Sequence, residues 1–311
     1  MTPRTGWEGF GLGALGIVAF SVSLPATKVA VEALDPWFVA FGRAMVAGVL
    51  AVGYLAVVER RAPVRVRPGR ADLVSLAVVV GGVVVGFPLL TSIALRTESA
   101  VHGSVVIAVL PAATAVAAVL RARERPGPMF WAASGAGFVA VLVFVALTGG
   151  SGGTGGGTGG AVVGGGDLLL LAAVVVCAAG YAEGAVLGRR WGGPRAICWA
   201  LVLALPLTAT VTAAVVAQGG IAPALDGGAW SHPGPWTAFA YVSGVSMFLG
   251  FFAWYAGLAR GGIARVGQVQ LAQPVLSLGW AAVLLGEPVT STAVVAALAV
   301  LACVVATQRA R

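Results

Sequence analysis

"ALRTESAVHGSVVIAVLPAATAVAAVLRARERP" occupies residues 94–126, and "GLARGGIARVGQVQLAQPVLSLGWAAVLLGEP" occupies 257–288. With Pro111 set on Pro274, Leu95 falls on Leu258 and Glu124 on Glu287 without a gap. Each stretch starts at a small polar turn, carries a proline midway and ends near an acid and a second proline. The spans that follow also correspond, so residues 1–148 and 167–311 read as two versions of one five-span unit. Between them lies 149–166, "GGSGGTGGGTGGAVVGGG", whose twelve glycines in eighteen residues make a flexible linker. Five is odd, so the two units must enter a membrane in opposite senses. Inverted repeats of this kind build transporters, with the solute held near the midplane.

Composition independently requires the membrane. The chain is 59% hydrophobic and 10% charged, with mean hydropathy +0.97. A soluble domain carries about 25% charged residues, and this one lacks the polar surface to cover itself. Stretches of about 20 apolar residues recur, each long enough to cross a hydrocarbon core. They predict ten spans, near 10–32, 36–58, 73–95, 99–120, 128–148, 167–188, 196–217, 236–259, 264–285 and 289–307. The runs do not alternate apolar and polar as barrel strands do. Helices satisfy their own backbone hydrogen bonds, as lipid demands. The expected class is therefore an all-α membrane protein: ten transmembrane helices as two inverted five-helix repeats.

Charge orients the spans. The chain has a net charge of +8 but one lysine, Lys28. Sixteen arginines fall in the tails and alternate loops, including "ERRAPVRVRPGRAD", "RARER" and "RRWGGPR"; the opposite loops hold only Arg96. By the positive-inside rule both termini are cytoplasmic and the linker extracytoplasmic. Scattering through short loops argues against a nucleic-acid surface. The apolar run from Phe10 is longer than a signal-peptide core and opens a series of similar spans, which argues against cleavage. Cys177, Cys198 and Cys303 lie in apolar spans without metal-ligand spacing, so neither metal nor cofactor is expected.

The order "GLARGGIA … QP … GEP", a lysine near the end of the first span and "DPWFVAFGRAMVAGVL" at the start of the second resemble the EamA branch of the drug/metabolite transporter superfamily. The first unit departs from the family ending, with "RARERP" in place of a Gly-Glu-Arg type turn. The resemblance covers essentially the whole chain. It implies a multi-pass protein of the cytoplasmic membrane that exports or exchanges small metabolites, amino acids or related solutes. It leaves the solute unnamed.

Ionisable groups inside spans are costly and mark pathways or pairs. Lys28 lies about six residues before the first outer turn, so ~9 Å deep at 1.5 Å per residue. Arg43 lies at similar depth on the next span. Together they would make the outer half of a cavity attractive to a carboxylate or phosphate. Alternatively, Lys28 snorkels to the interface, and Arg43 pairs with Glu32 or a helix-end carbonyl. Glu183, in the inward third of the sixth span, is the candidate proton-coupling group, with a pair to Arg189 or Arg190 as the alternative. Gln270, Gln273 and Ser277 share one helical face and would orient a polar solute, or else join helices. Tyr181 and Trp280 are candidate aromatic walls. The proline pair Pro111 and Pro274 would loosen mid-span backbone.

Two other classes compete. "GGGD" at 164–167 has the form of an intramembrane aspartyl protease, but Asp35, Asp72 and Asp226 all lie in loops, leaving no partner within a span. Ser246 lies in a span, yet neither His102 nor His232 is placed as its base. An enzyme is thus not expected. A channel would need a ring of like residues, which an inverted repeat does not supply. The expected partners are a small solute, the bilayer and a coupling proton, with no nucleic acid.

Overall fold

Pro25 shapes the first span. It has no N–H, so the carbonyl of Ser21, four residues earlier, gets no donor from within the helix. In the computed structural model the span divides there, into α1 (Pro3–Ser21) and α2 (Ser23–Ala30). The structure describes residues 3–62, 65–122, 164–226, 233–261, 266 and 268–309, with single positions between 132 and 143. The rest of the expected span 128–148 and the linker to residue 163 lie outside them.

The second span opens as a π-helical segment, Phe38–Gly42, and continues as α3 (Arg43–Arg61). The third runs α4 (Arg70–Val79), a π segment Val80–Gly86, then α5 (Phe87–Thr97). The fourth splits into α6 (Ala100–Ile107) and α7 (Leu110–Ala122), because Pro111 withholds a donor from the Ile107 carbonyl. Then come α8 (Gly165–Trp191) and α9 (Gly193–Ala217). Next is α10 (Pro233–Ala240), whose span continues through the π segment Tyr241–Gly250 into α11 (Phe251–Gly261). A 3₁₀ turn, Gln268–Leu271, precedes α12 (Ala272–Leu285), and α13 covers Ser291–Arg309. No strand occurs among the described residues.

Seven of these helical stretches are long and apolar enough to cross a bilayer, and two shorter apolar helices, Ala272–Leu285 and Ser291–Cys303, follow. Their outer faces are apolar: Val74 is 70% and Val283 76% exposed. Water would penalise such a surface, whereas hydrocarbon accepts it.

Packing follows a regular pattern. α1 lies on α11, and α2 on α10. α8 lies on α4, α5 and the π segment between them. α3 packs on α9, and α6 on α12. Glycine permits the tightest crossings. A Cβ on Gly82 would meet the Val176 carbonyl at 2.2 Å, and one on Gly257 would meet the Gly13 nitrogen at 2.7 Å. The first joins the third span to α8, the second joins α11 to α1.

Candidate functional site

The broken helices meet at the centre. A narrow cavity of about 30 Å³ is lined by Ser23 and Leu24 of α2, Arg43 of α3, Tyr181 of α8, Ser246 of the eighth-span π segment and Gln273 of α12, among others. Phe20, Phe87 and Phe251 complete an apolar wall. A smaller adjoining cavity, about 10 Å³, shares Leu24, Leu110 and Gln273 and adds Gln270, Ser277, Pro111 and Pro274. As they stand, these volumes hold a water molecule or two. A metabolite needs the helices to move apart.

Arg43 is the one charged residue in either lining. It is 4% exposed. Its Nη2 donates to Ser246 Oγ at 3.1 Å, and that hydroxyl also bonds Ser23 Oγ at 2.7 Å. Its Nε is buried with no partner. Arg43 enters none of the ion pairs among the described residues. The Nε2 of Gln270, a residue only 2% exposed, is also buried and unpartnered. Two buried donors without acceptors, one charged, face one cavity system. Buried polar groups are almost always satisfied, so these two donors have capacity for further acceptors.

The other candidates divide. Tyr181 lines the larger cavity, its ring against Phe251 and Trp254. Gln273 borders both cavities. Ser277 lines the smaller one, but its hydroxyl donates to the Ser21 carbonyl at 2.8 Å, the one that Pro25 leaves without a helical donor. Trp280 Nε1 donates to Ser21 Oγ at 3.0 Å. These two residues tie α12 to the break in the first span. Lys28 lines neither cavity. Its Nζ donates to the carbonyls of Leu95 at 2.8 Å and Glu98 at 2.9 Å, at the end of α5. Glu183 pairs with Arg121 of α7 rather than with Arg189 or Arg190. Sequence reasoning gave Ser23 no role and treated Ser246 only as a potential nucleophile. Their bond spans 223 residues, and no local signal announces it.

Polar contacts join the segments 1–148 and 167–311 at both ends. Toward the arginine-rich end lie Arg121–Glu183, Arg190–Asp72 and Arg195–Glu59, the last at 2.9 Å. At the opposite end, Glu287 accepts from the Ala100 and Val101 N–H groups at 2.9 and 2.7 Å, capping α6. There too His102 Nε2 bonds Asp167 Oδ1 at 2.6 Å, with Glu98 Oε2 at 3.9 Å. Asp167 also accepts from the Gly164 N–H at the start of α8, which is where the "GGGD" motif is used. Donor atoms of Glu98, His102 and Asp167 lie within 4.8 Å of one another. Two helix N-termini and the Lys28 ammonium crowd the same place, and all three disfavour a cation there.

A polytopic helical protein whose broken spans enclose a charged, closed cavity belongs with the membrane transporters. The chain is a member of the EamA-like transporter family, whose sequence pattern matches residues 7–146 and again 164–307. It is 44% identical over 299 residues to a Bacillus subtilis (strain 168) protein described as "Uncharacterized transporter YdeK", covering 96% of each chain. A solved crystal structure resembles it with a TM-score of 0.60 at 17% identity, over 96% of this chain and 95% of that one. At that identity the likeness is one of fold alone.

Proposed function

We propose that the protein is a secondary transporter moving small metabolites, amino acids or related solutes, out across the cytoplasmic membrane by alternating access. The reading takes it as ten helices in two inverted repeats, 1–148 and 167–311, with the linker outside and both termini in the cytoplasm. The observation that carries it is Arg43: a guanidinium buried away from bulk water, short of acceptors among the described residues, in a cavity walled by both segments. Neither a structural pair nor an intramembrane hydrolase requires that arrangement.

Three features support the repeat. Exchanging first span with sixth, second with seventh, third with eighth and fourth with ninth turns the first–eighth packing pair into the sixth–third pair and maps the second–seventh and fourth–ninth pairs onto themselves. The π segments Val80–Gly86 and Tyr241–Gly250 coincide under the 163-residue offset that aligns Pro111 with Pro274. The breaks before those prolines coincide as well. Discontinuous helices at a repeat interface are where such carriers bind solute. π segments supply extra backbone freedom at functional sites. Contacts closing both ends fit an occluded intermediate, and each set would open in turn.

In this cycle Arg43 attracts an anionic group, Gln270 and Gln273 orient the polar remainder, and Tyr181 packs on the apolar part. Lys28 serves by holding the outer end of α5. Glu183, paired with Arg121 at the inner end, remains the candidate coupling group because opening that end frees its carboxylate to take a proton. The full chain in proteoliposomes loaded with unlabelled solute should accumulate the labelled solute transiently by counterflow. Linear, non-saturating flux would indicate a channel and refute the carrier.

A further inference from the structure

We infer that the solute is an organic monoanion with an apolar, ring-sized body and no ammonium group. This rests on the transporter reading above and narrows its small metabolites at the same site to anions, setting the zwitterionic amino acids aside. The chain has eleven carboxylates. Glu124 alone lies outside the described residues, and the undescribed stretch 127–163 contains no acid at all. Glu59, Asp72 and Glu183 are held by Arg195, Arg190 and Arg121. Glu98 and Asp167 face His102, and Glu287 caps α6. Asp35 accepts from the Trp37 N–H. Glu8, Glu32 and Asp226 are exposed. No carboxylate among the described residues is left for Arg43, so the counter-charge of the buried guanidinium comes with the solute.

Among the described residues the same count leaves no partner for an ammonium. A zwitterion would bring its cation into a cavity that already holds one and offers only neutral oxygens: serine hydroxyls, glutamine carbonyls and backbone. Gln270 Nε2, a buried donor lacking an acceptor, asks for a further oxygen rather than a positive nitrogen. Phe20, Phe87, Met247 and Phe251 line the rest of the larger cavity and suit an apolar ring.

The test uses three solutes of one carbon skeleton, 3-phenylpropionate, phenylalanine and phenethylamine, with the full chain in detergent. Binding is read as a ligand-dependent rise in melting temperature and by calorimetry. The expected order places 3-phenylpropionate at least tenfold tighter than phenylalanine, with no binding of phenethylamine. Arg43→Gln should abolish the preference and Arg43→Lys should retain it. The wild-type order needs no variant, so misfolding of Arg43→Gln leaves the test intact. Equal or tighter binding of phenylalanine, or no binding of any of the three, overturns the inference. Counterflow in proteoliposomes is scored separately. Phenylalanine exchange without 3-phenylpropionate exchange would sink the monoanion and keep the carrier. Arg43-dependent binding of 3-phenylpropionate without exchange would do the reverse.

Discussion

Replacing Lys28 by methionine separates a structural from a solute-binding role for the only lysine. The ammonium donates to two carbonyls, Leu95 at 2.8 Å and Glu98 at 2.9 Å, where α5 ends. The last carbonyls of a helix have no donor within it, and a cation there also meets the negative end of the macrodipole. Hydrogen bonds from charged donors contribute ~1.5–3 kcal/mol each when buried. Lys28 is only partly buried, so water will recover some of that for the vacated carbonyls. A loss of about 2–4 kcal/mol for the pair follows. At roughly 2–4 °C per kcal/mol, the melting temperature of Lys28→Met should fall by about 4–16 °C.

The assay is thermal unfolding of purified protein in detergent, paired with 3-phenylpropionate binding below both transitions. Methionine keeps the apolar stem, so the change isolates the charge. Lys28→Arg should restore part of the loss, because a guanidinium donates to carbonyls too. Affinity for the anion should stay within about threefold, since Lys28 lines neither cavity. An unchanged melting temperature combined with a tenfold loss of affinity would refute this reasoning and return the ammonium to the solute.

Three further outcomes are expected. Ser277→Ala should cost about 1–3 kcal/mol by orphaning the Ser21 carbonyl. Pro25→Ala, which restores a helical N–H to that carbonyl, should absorb most of the cost in a double-mutant cycle; additive effects would show that the bond is incidental. Gly184→Ala places a Cβ 2.1 Å from Tyr255 Oη on a fully buried ring and should destabilise by ~1–3 kcal/mol or more. Gly53→Ala, with nothing within 4 Å, should instead raise the melting temperature. Burial, followed by the neighbouring Asp167 charge, lifts the Glu98 carboxyl above the ordinary carboxylate value against the pull of His102 and Lys28. A raised acid pKa gives stability that is complete below the unfolded value and lost as pH rises through the folded one. Glu98→Gln, which mimics the protonated form, should therefore melt above wild type at neutral pH, with the gap closing toward pH 4; a gap that widens on acidification would contradict the assignment.

The spans were legible because lipid leaves few options. A run of some twenty apolar residues must be a helix, and most expected ends fall within a few residues of the observed ones. The breaks at Pro111 and Pro274 were partly legible, since a missing N–H is a local fact, whereas the break at Pro25 emerged only in the structure. Their partners were not legible. Nothing near Ser21 reveals that Ser277 and Trp280 will reach it across more than 250 residues. Lys28 and Arg43 looked equivalent by depth, yet depth says nothing of azimuth. The two helix faces sent one cation to carbonyls and the other to the cavity. Glu183 found Arg121 instead of its sequence neighbours because α7 packs beside α8, which a one-dimensional pattern cannot express. The π segments carried no compositional signal beyond glycines.

A repeated backbone need not make a symmetric site. Under the offset that joins Pro111 to Pro274, Ile107 corresponds to Gln270, Leu110 to Gln273, and Val83 to Ser246. All six line the two cavities. At each pair the first segment contributes an apolar side chain and the second a hydrogen-bonding one. On the inverted-repeat reading proposed above, the scaffold would keep two similar conformations while the chemistry of the cavity has a direction. Ser246 sits on the polar side and engages Arg43, so the charge is drawn toward the second segment's wall. An amphipathic anion in such a cavity would have one favourable pose, carboxylate toward Arg43 and Ser246, ring toward Val83 and Phe87.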